Sequence, residues 1–180
     1  MRIISGTHKG RLIKPPTNFK ARPTTDIARE GLFNILANRY DFEELTIADL
    51  FGGTGAISYE FASRGVKEVY CIELHALHFK FIKETAKAFG FENIKVYRND
   101  ALNAIEKLPK KHFDLIFADP PFDMTGKEDL IYKILNSGIL NNGTLILEHG
   151  ERENFQHVEG YQDVRKYGKV NFAFFKETIK

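Results

Sequence analysis

From Thr46 onward, short apolar runs alternate with stretches whose apolar residues recur every three or four positions. The runs predict buried strands at Thr46 to Phe51, Glu68 to Ile72, Ile94 to Tyr97, Phe113 to Ala118 and Gly143 to Glu148. Between them, helices are predicted from Ala56 to Ser63, Ala76 to Phe89 and Leu102 to Leu108, and around Leu130, Ile131, Ile134 and Leu135. Glycines at 65, 90 and 138 mark where three of these helices stop. Upstream, Thr24 or Thr25 caps a further helix, with Asp26 in its first turn and an apolar stripe of Ile27, Ala28, Gly31, Leu32, Ile35 and Leu36. Arg29 falls off that stripe, and Gly31 suggests a close approach by another element. Residues 2–14 read as a small hairpin turning between Ser5 and Gly10, and Asp163 to Tyr167 with Val170 to Phe175 as a closing antiparallel hairpin. Strands alternating with helices specify an α/β, doubly wound, mostly parallel sheet of Rossmann-like type. One domain over 1–180 is expected, with a basic hairpin and helix at 1–40 and a core at 41–180.

Ligands of such sheets lie beyond the C-terminal ends of the strands, where the strand order reverses. Four stretches meet that description: Asp49-Leu50-Phe51-Gly52-Gly53-Thr54-Gly55, Glu73, Asn99-Asp100 and Asp119-Pro120-Pro121-Phe122. The glycines let backbone lie against a ligand without an intervening Cβ. Glu73 stands at the end of the next strand, where a carboxylate can hold both hydroxyls of a ribose. Asp100 can accept from an adenine amino group, and Phe51, Leu74 and Ala101 adjoin the same pocket. The ligand class is therefore nucleotide-like. Asp49 would repel a pyrophosphate and pair with an ammonium, and Ser58 stands where a dinucleotide fingerprint prefers glycine or alanine. Adenosine carrying an amino-acid tail, S-adenosylmethionine, fits better than a nicotinamide dinucleotide. The prolines of Asp119-Pro120-Pro121-Phe122 cannot continue a ladder, so the chain leaves the sheet as a stiff loop. That loop aims a carboxylate, a carbonyl and a ring at one spot.

Charge adds a second surface. The net charge of +2 hides a gradient: residues 1–40 carry +6, and the remaining 140 carry −4. A basic segment on a mildly acidic body is the footprint of a polyanion-binding face, with Lys9, Arg11, Lys14, Arg22 and Arg29 as its candidate contacts. Cys71 is the only cysteine, which excludes a disulfide framework within the chain. No apolar run approaches a membrane span of roughly 20 residues, and a cytoplasmic setting is expected. His75 and His78 have no third ligand in sight, so no metal is expected.

The glycine loop resembles the first motif of class I methyltransferases, and Asp119-Pro120-Pro121-Phe122 their fourth motif in the branch that methylates exocyclic amines. Arg2-Ile3-Ile4-Ser5-Gly6, Lys9-Gly10-Arg11, Arg22-Pro23-Thr24 and Arg29-Glu30-Gly31-Leu32-Phe33-Asn34 extend the likeness over the whole chain. Together they resemble the bacterial 16S rRNA guanine-966 N2-methyltransferase family. Gly53-Thr54 departs from that family's usual Ala-Ser, with residues that are also small. The resemblance implies S-adenosylmethionine as methyl donor and 16S rRNA, or an assembling small ribosomal subunit, as partner. It implies Asp119 and Pro120 as acceptors for the reacting amine and Phe122 as a stacking platform. A monomer is expected. Glu148-His149, at the end of the last core strand, reads as loop with at most a minor substrate contact. A DNA amino-methyltransferase usually carries a large target-recognition region, for which this chain has no room. A non-catalytic RNA-binding module would have no use for the Asp119 loop.

Overall fold

The computed structural model describes residues 1–17, 19 and 24–177 of the chain. Seven strands form one sheet: β1 (Thr46–Asp49), β2 (Glu68–Glu73), β3 (Ile94–Arg98), β4 (Phe113–Ala118), β5 (Leu140–Gly150), β6 (Tyr161–Tyr167) and β7 (Val170–Lys176). Their order is β3-β2-β1-β4-β5-β7-β6, parallel except where β7 pairs antiparallel with β5 and β6. β2 and β3 run out one way from β1, and β4 leads the other way. The order therefore reverses between β1 and β4, and the crevice lies at their C-terminal ends.

Helices α1 (Asp26–Ala37), α2 (Ala56–Ser63), α3 (Ala76–Phe89), α4 (Ala101–Lys107) and α5 (Lys127–Asn136) cover both faces. Alternation along the strands assigns the two cores. Ile47, Leu115, Phe117 and Ile146 pack with α1, α2 and α3, while Ala48, Ile116, Ala118 and Leu147 pack with α4 and α5. α1 is capped by Thr25, whose side chain accepts from Ala28 N. A Cβ on Gly31 would lie 2.1 Å from the Tyr167 ring, which is the close approach that the sequence suggests.

Beyond shifts of one or two residues at element ends, two elements differ from expectation. β5 starts at Leu140 rather than Gly143, because Leu140 pairs with Phe113 across a register shift between Phe113 and Leu115. Asn142 takes a positive φ there, and a Cβ on Gly143 would sit 2.5 Å from the Asp114 carbonyl. The second difference is the rotation of α1, whose Ile27 is 76% exposed while Arg29 is 1% exposed.

Arg29 turns inward because a fully buried carboxylate waits for it. Glu60 on α2 accepts from Ile4 N (2.8 Å), Ser5 N (3.1 Å) and Arg64 Nε (2.9 Å), and Arg29 Nε lies 4.0 Å away. Arg29 also donates to Asp26 Oδ1 at 2.9 Å and to the Arg2 carbonyl. A buried charge persists only when paired and hydrogen-bonded; Glu60 has both, while Arg29 is bonded through Nη2 alone and its Nε and Nη1 have no hydrogen-bond partner among the described residues. The network also fastens the N-terminal hairpin to the body. The hairpin itself is one antiparallel bridge, Arg2 to Leu12, with Ile3 and Ile13 in the core. Ser63 and Phe89 anchor its turn, through Ser63 O to Thr7 N (2.7 Å) and Phe89 O to the His8 ring (2.8 Å). Arg29 is therefore corrected from an RNA-facing residue to a structural one.

Candidate active site

The loop from Leu50 to Gly55 leaves β1 and turns into α2. Its path is held by Gly52 N donating to Ile72 O (2.8 Å) and Gly55 N to Gly52 O (2.6 Å). Glycine is required at 52 and 55. A Cβ on Gly52 would meet Cys71 Sγ at 2.7 Å, and one on Gly55 would meet the Tyr59 ring at 2.5 Å with φ already +82°. No side chain caps the start of α2, and Gly53 takes φ +55°. Thr54 Oγ1 reaches back to Met1 Sδ at 3.4 Å, so the N-terminal hairpin touches this loop directly.

Glu73 is 6% exposed and braces the same loop. Its Oε2 accepts from Gly53 N at 2.7 Å and its Oε1 from His75 N at 2.6 Å. A carboxylate offers about four acceptor positions, so each oxygen can still take a ribose hydroxyl. Asp100 caps α4, its Oδ1 accepting from Leu102 N (2.9 Å) and Asn103 N (3.2 Å). Leu74 (53% exposed) and partly buried Phe51 flank these acids, and Ala101 is buried behind Asp100.

Asp49 is the electrostatic centre of the crevice. It is buried, and its Oδ2 accepts from Ser58 Oγ at 2.6 Å, whereas Oδ1 has no hydrogen-bond partner among the described residues. Burial pushes its carboxyl up to about 6, Ser58 opposes the shift, and the Glu73 charge adds to it. Ser58, read in the sequence only as an objection to a dinucleotide, thus has a positive role. An orphaned buried carboxylate oxygen beside a glycine loop suits an ammonium group and disfavours a phosphate.

On the β4 side, Asp119 is half-buried and Pro120 buried, while Phe122 is 85% exposed. Asp49 pairs in register with Phe117, two residues before Asp119, so alternation carries the two carboxylates onto the same face. Burial, followed by the charges of Glu148 and Asp49, holds the Asp119 carboxyl well above the usual carboxylate range, with Lys127 opposing. Glu148 rises to about 7, first from burial and then from Asp49, against a hydrogen bond from Thr24 Oγ1 at 2.7 Å. Three carboxylates thus share one crevice.

Lys127 and Glu148 are the crevice positions that sequence reasoning missed or set aside. Lys127 is buried, donating to Glu153 Oε1 (2.8 Å) and the Phe122 carbonyl (3.4 Å). Glu153 in turn accepts from Gly150 N at 3.0 Å, so this pair straps the Phe122 loop to the end of β5. No local pattern marks that lysine. Glu148 could have been found, since it ends a core strand just as Glu73 does. Phe122 forms one wall of a hollow of about 310 Å³, lined also by Gly150, Glu151, Arg152, Glu153 and Lys169.

Of the predicted basic contacts, Lys9, Arg11 and Lys14 are exposed on the docked hairpin, and Arg11 lies over the Phe89 ring at 5.2 Å. Arg22 lies outside the described residues. Among the described residues, no helix is long and apolar enough to cross a membrane.

Known proteins are similar to this chain in sequence and in fold. The ribosomal RNA small subunit methyltransferase D of Buchnera aphidicola subsp. Baizongia pistaciae is 33% identical over 154 residues, covering 86% of this chain and 76% of its own. The protein of the same name from Escherichia coli K12 is 33% identical over 155 residues, with the same coverage. The solved structure of Escherichia coli yhhF superimposes with a TM-score of 0.84 over 100% of this chain and 99% of its own, at 24% identity. The family described as Conserved hypothetical protein 95 matches residues 1–176, and with relatives at this identity and coverage the chain belongs to that family of class I methyltransferases.

Proposed function

We propose that this protein methylates the exocyclic N2 of a guanine in 16S rRNA, using S-adenosylmethionine. The observation that carries the reading is the shared face of Asp49 and Asp119 at the strand-order reversal, one acid beside the glycine loop and the other on a rigid proline loop. The names of the two rRNA methyltransferase relatives support the RNA substrate.

The donor, when bound, supplies an electrophilic methyl carbon on a sulfonium. Asp49 Oδ1 would receive its ammonium, Glu73 its ribose and Asp100 its adenine. A cationic ligand suits a crevice that concentrates three acids, and offsets the burial and, to a smaller extent, the mutual repulsion that lift their carboxyls. Guanine N2 is a poor nucleophile because its lone pair is delocalised into the ring. Asp119 and the Pro120 carbonyl accept its N–H bonds, fix its direction and favour charge developing on nitrogen. A carboxyl held above its usual range is also a better base for the proton that N2 must lose. Phe122, exposed at the mouth, stacks on a base turned out of the RNA. Lys9, Arg11 and Lys14 contact RNA phosphates, which makes affinity fall with salt.

The test is methyl incorporation into small ribosomal subunits from a strain lacking the modification, followed by nuclease digestion and mass spectrometry for N2-methylguanosine. Asp119→Ala is expected to lose about 10²–10⁴-fold in turnover while keeping its melting temperature and donor affinity. Near-normal turnover in that variant would remove Asp119 from the chemistry.

A further inference from the structure

Nothing in the Asp119 loop by itself distinguishes guanine from adenine, because both present an exocyclic amine. The neighbouring strand supplies a second acid. Ala118 of β4 and Leu147 of β5 are the last pair in register, so the register continued one step would bring Asp119 opposite Glu148, and the Glu148 charge does act on the Asp119 carboxyl. Neighbouring strands run about 4.8 Å apart. Alternation places both side chains on the face that carries α1, with Ile146 and Phe117 beneath them. Glu148 is not free to swing. Thr24, 7% exposed and just ahead of α1, donates to its Oε2 at 2.7 Å. That bond turns the carboxylate and leaves Oε1 unpaired among the described residues.

Two fixed acceptors side by side match one base edge. Guanine presents N1–H and N2–H as adjacent donors. Adenine presents a donor beside an acceptor, its N6 amine next to the N1 lone pair, and cytosine does likewise with N4 and N3. A carboxylate facing either lone pair would be repelled as well as left without a bond.

Resting on the guanine reading above, we propose that Glu148 is a specificity-determining residue that accepts N1–H of the target guanine through Oε1, while Asp119 and Pro120 hold N2. Thr24 is the positioning residue for Glu148. The mutual repulsion of the two acids is consistent with this, since a base offering two donors lowers it. Discrimination against adenine then comes from the end of β5 and not from the Asp119 loop.

The experiment uses small subunits assembled on 16S rRNA in which the target guanine is replaced by 2-aminopurine. This analogue keeps the C2 amine but has a lone pair at N1 instead of a hydrogen. For the wild-type protein, kcat/KM is expected to fall at least about 30-fold from guanine to 2-aminopurine. In Glu148→Gln the gap is expected to narrow to about threefold, because a carboxamide can either accept from N1–H or donate to N1. Equal rates of the wild-type protein on both bases would overturn the proposal, as would an unchanged ratio in E148Q. If E148Q does not fold, as its melting curve will show, the wild-type ratio alone decides. Absence of any N2-methylguanosine from the wild-type protein would instead overturn the function itself, and this inference with it.

Discussion

The two halves of the crevice are built on opposite electrical principles. On the β2 and β3 side, the acids are already satisfied by backbone: Glu73 by Gly53 and His75, Asp100 by Leu102 and Asn103. On the β4 and β5 side, Asp119 and Glu148 face each other with a single hydroxyl, that of Thr24, among the described donors, and burial raises both carboxyls. Asp49 stands at the boundary, with one oxygen paired and one orphaned. The difference separates two tasks. The first half is shaped in advance and holds its loop with the same groups that would hold a nucleoside. The second has carboxylate oxygens unspent among the described residues, as the proposed binding of a base with donors requires.

That contrast can be broken most forcefully at Glu73. Glu73→Ala leaves two backbone donors without a charged acceptor, each hydrogen bond of that kind being worth about 1.5–3 kcal/mol. A loss of about 3–6 kcal/mol and a melting temperature lower by about 6–24 °C are expected, together with weak donor binding. Calorimetry with and without the donor checks this, and a stable variant that merely binds poorly would show that Glu73 does not brace the loop.

A smaller effect is expected in the second half, at Phe122. Its exposed ring makes little contribution to folding, so Phe122→Ala should melt within about 1 °C of the parent. Loss of one base stack, about 1–3 kcal/mol, should raise KM for RNA about 5- to 100-fold at unchanged donor affinity. Steady-state kinetics and a donor titration measure the two separately, and a fall in donor affinity would move Phe122 out of the substrate half.

The subtlest test uses pH. Asp49 titrates near 6 in the fold against a usual 3.8, and Glu148 near 7 against 4.5. Between those values the folded chain binds more protons than the unfolded one, so stability falls as pH rises from about 4 to about 7. An ammonium bound at ionised Asp49 opposes that fall. The stabilisation by S-adenosylmethionine is therefore expected to grow between pH 5 and 7 in thermal melts. Asp49→Asn should flatten the growth, whereas a parallel rise in that variant would place the ammonium elsewhere.

Much of this architecture is written in local sequence. The limits of α2 and α3 follow from Gly55, Gly65 and Gly90 flanking periodic apolar residues, and those three glycines all take positive φ. The four strand-end stretches converge on the crevice because parallel strands alternating with helices must bring their C-terminal ends together. Where reasoning from sequence fails, a distant partner has intervened. Ile27 and Arg29 exchange places because a buried Glu60, 31 residues past Arg29 on another helix, outweighs the apolar stripe of α1. The hairpin at 2–14, too small to stand alone, has the expected bridge, and the buried Glu60 of α2 is what fastens it to the body.

The sequence by itself determined the α/β class, the glycine loop with its acids, and the stiff Asp119-Pro120-Pro121-Phe122 exit. Each rests on the conformational limits of a few adjacent residues. Only the tertiary structure decided which charges are spent and which are held ready. Arg29 was withdrawn to Glu60, Lys127 was recruited to strap the Phe122 loop, and Glu148 was set opposite Asp119. The physical reason is that charge in a low-dielectric interior is governed by its nearest partner in space, and the β4–β5 register and the packing of α1 on α2 choose that partner.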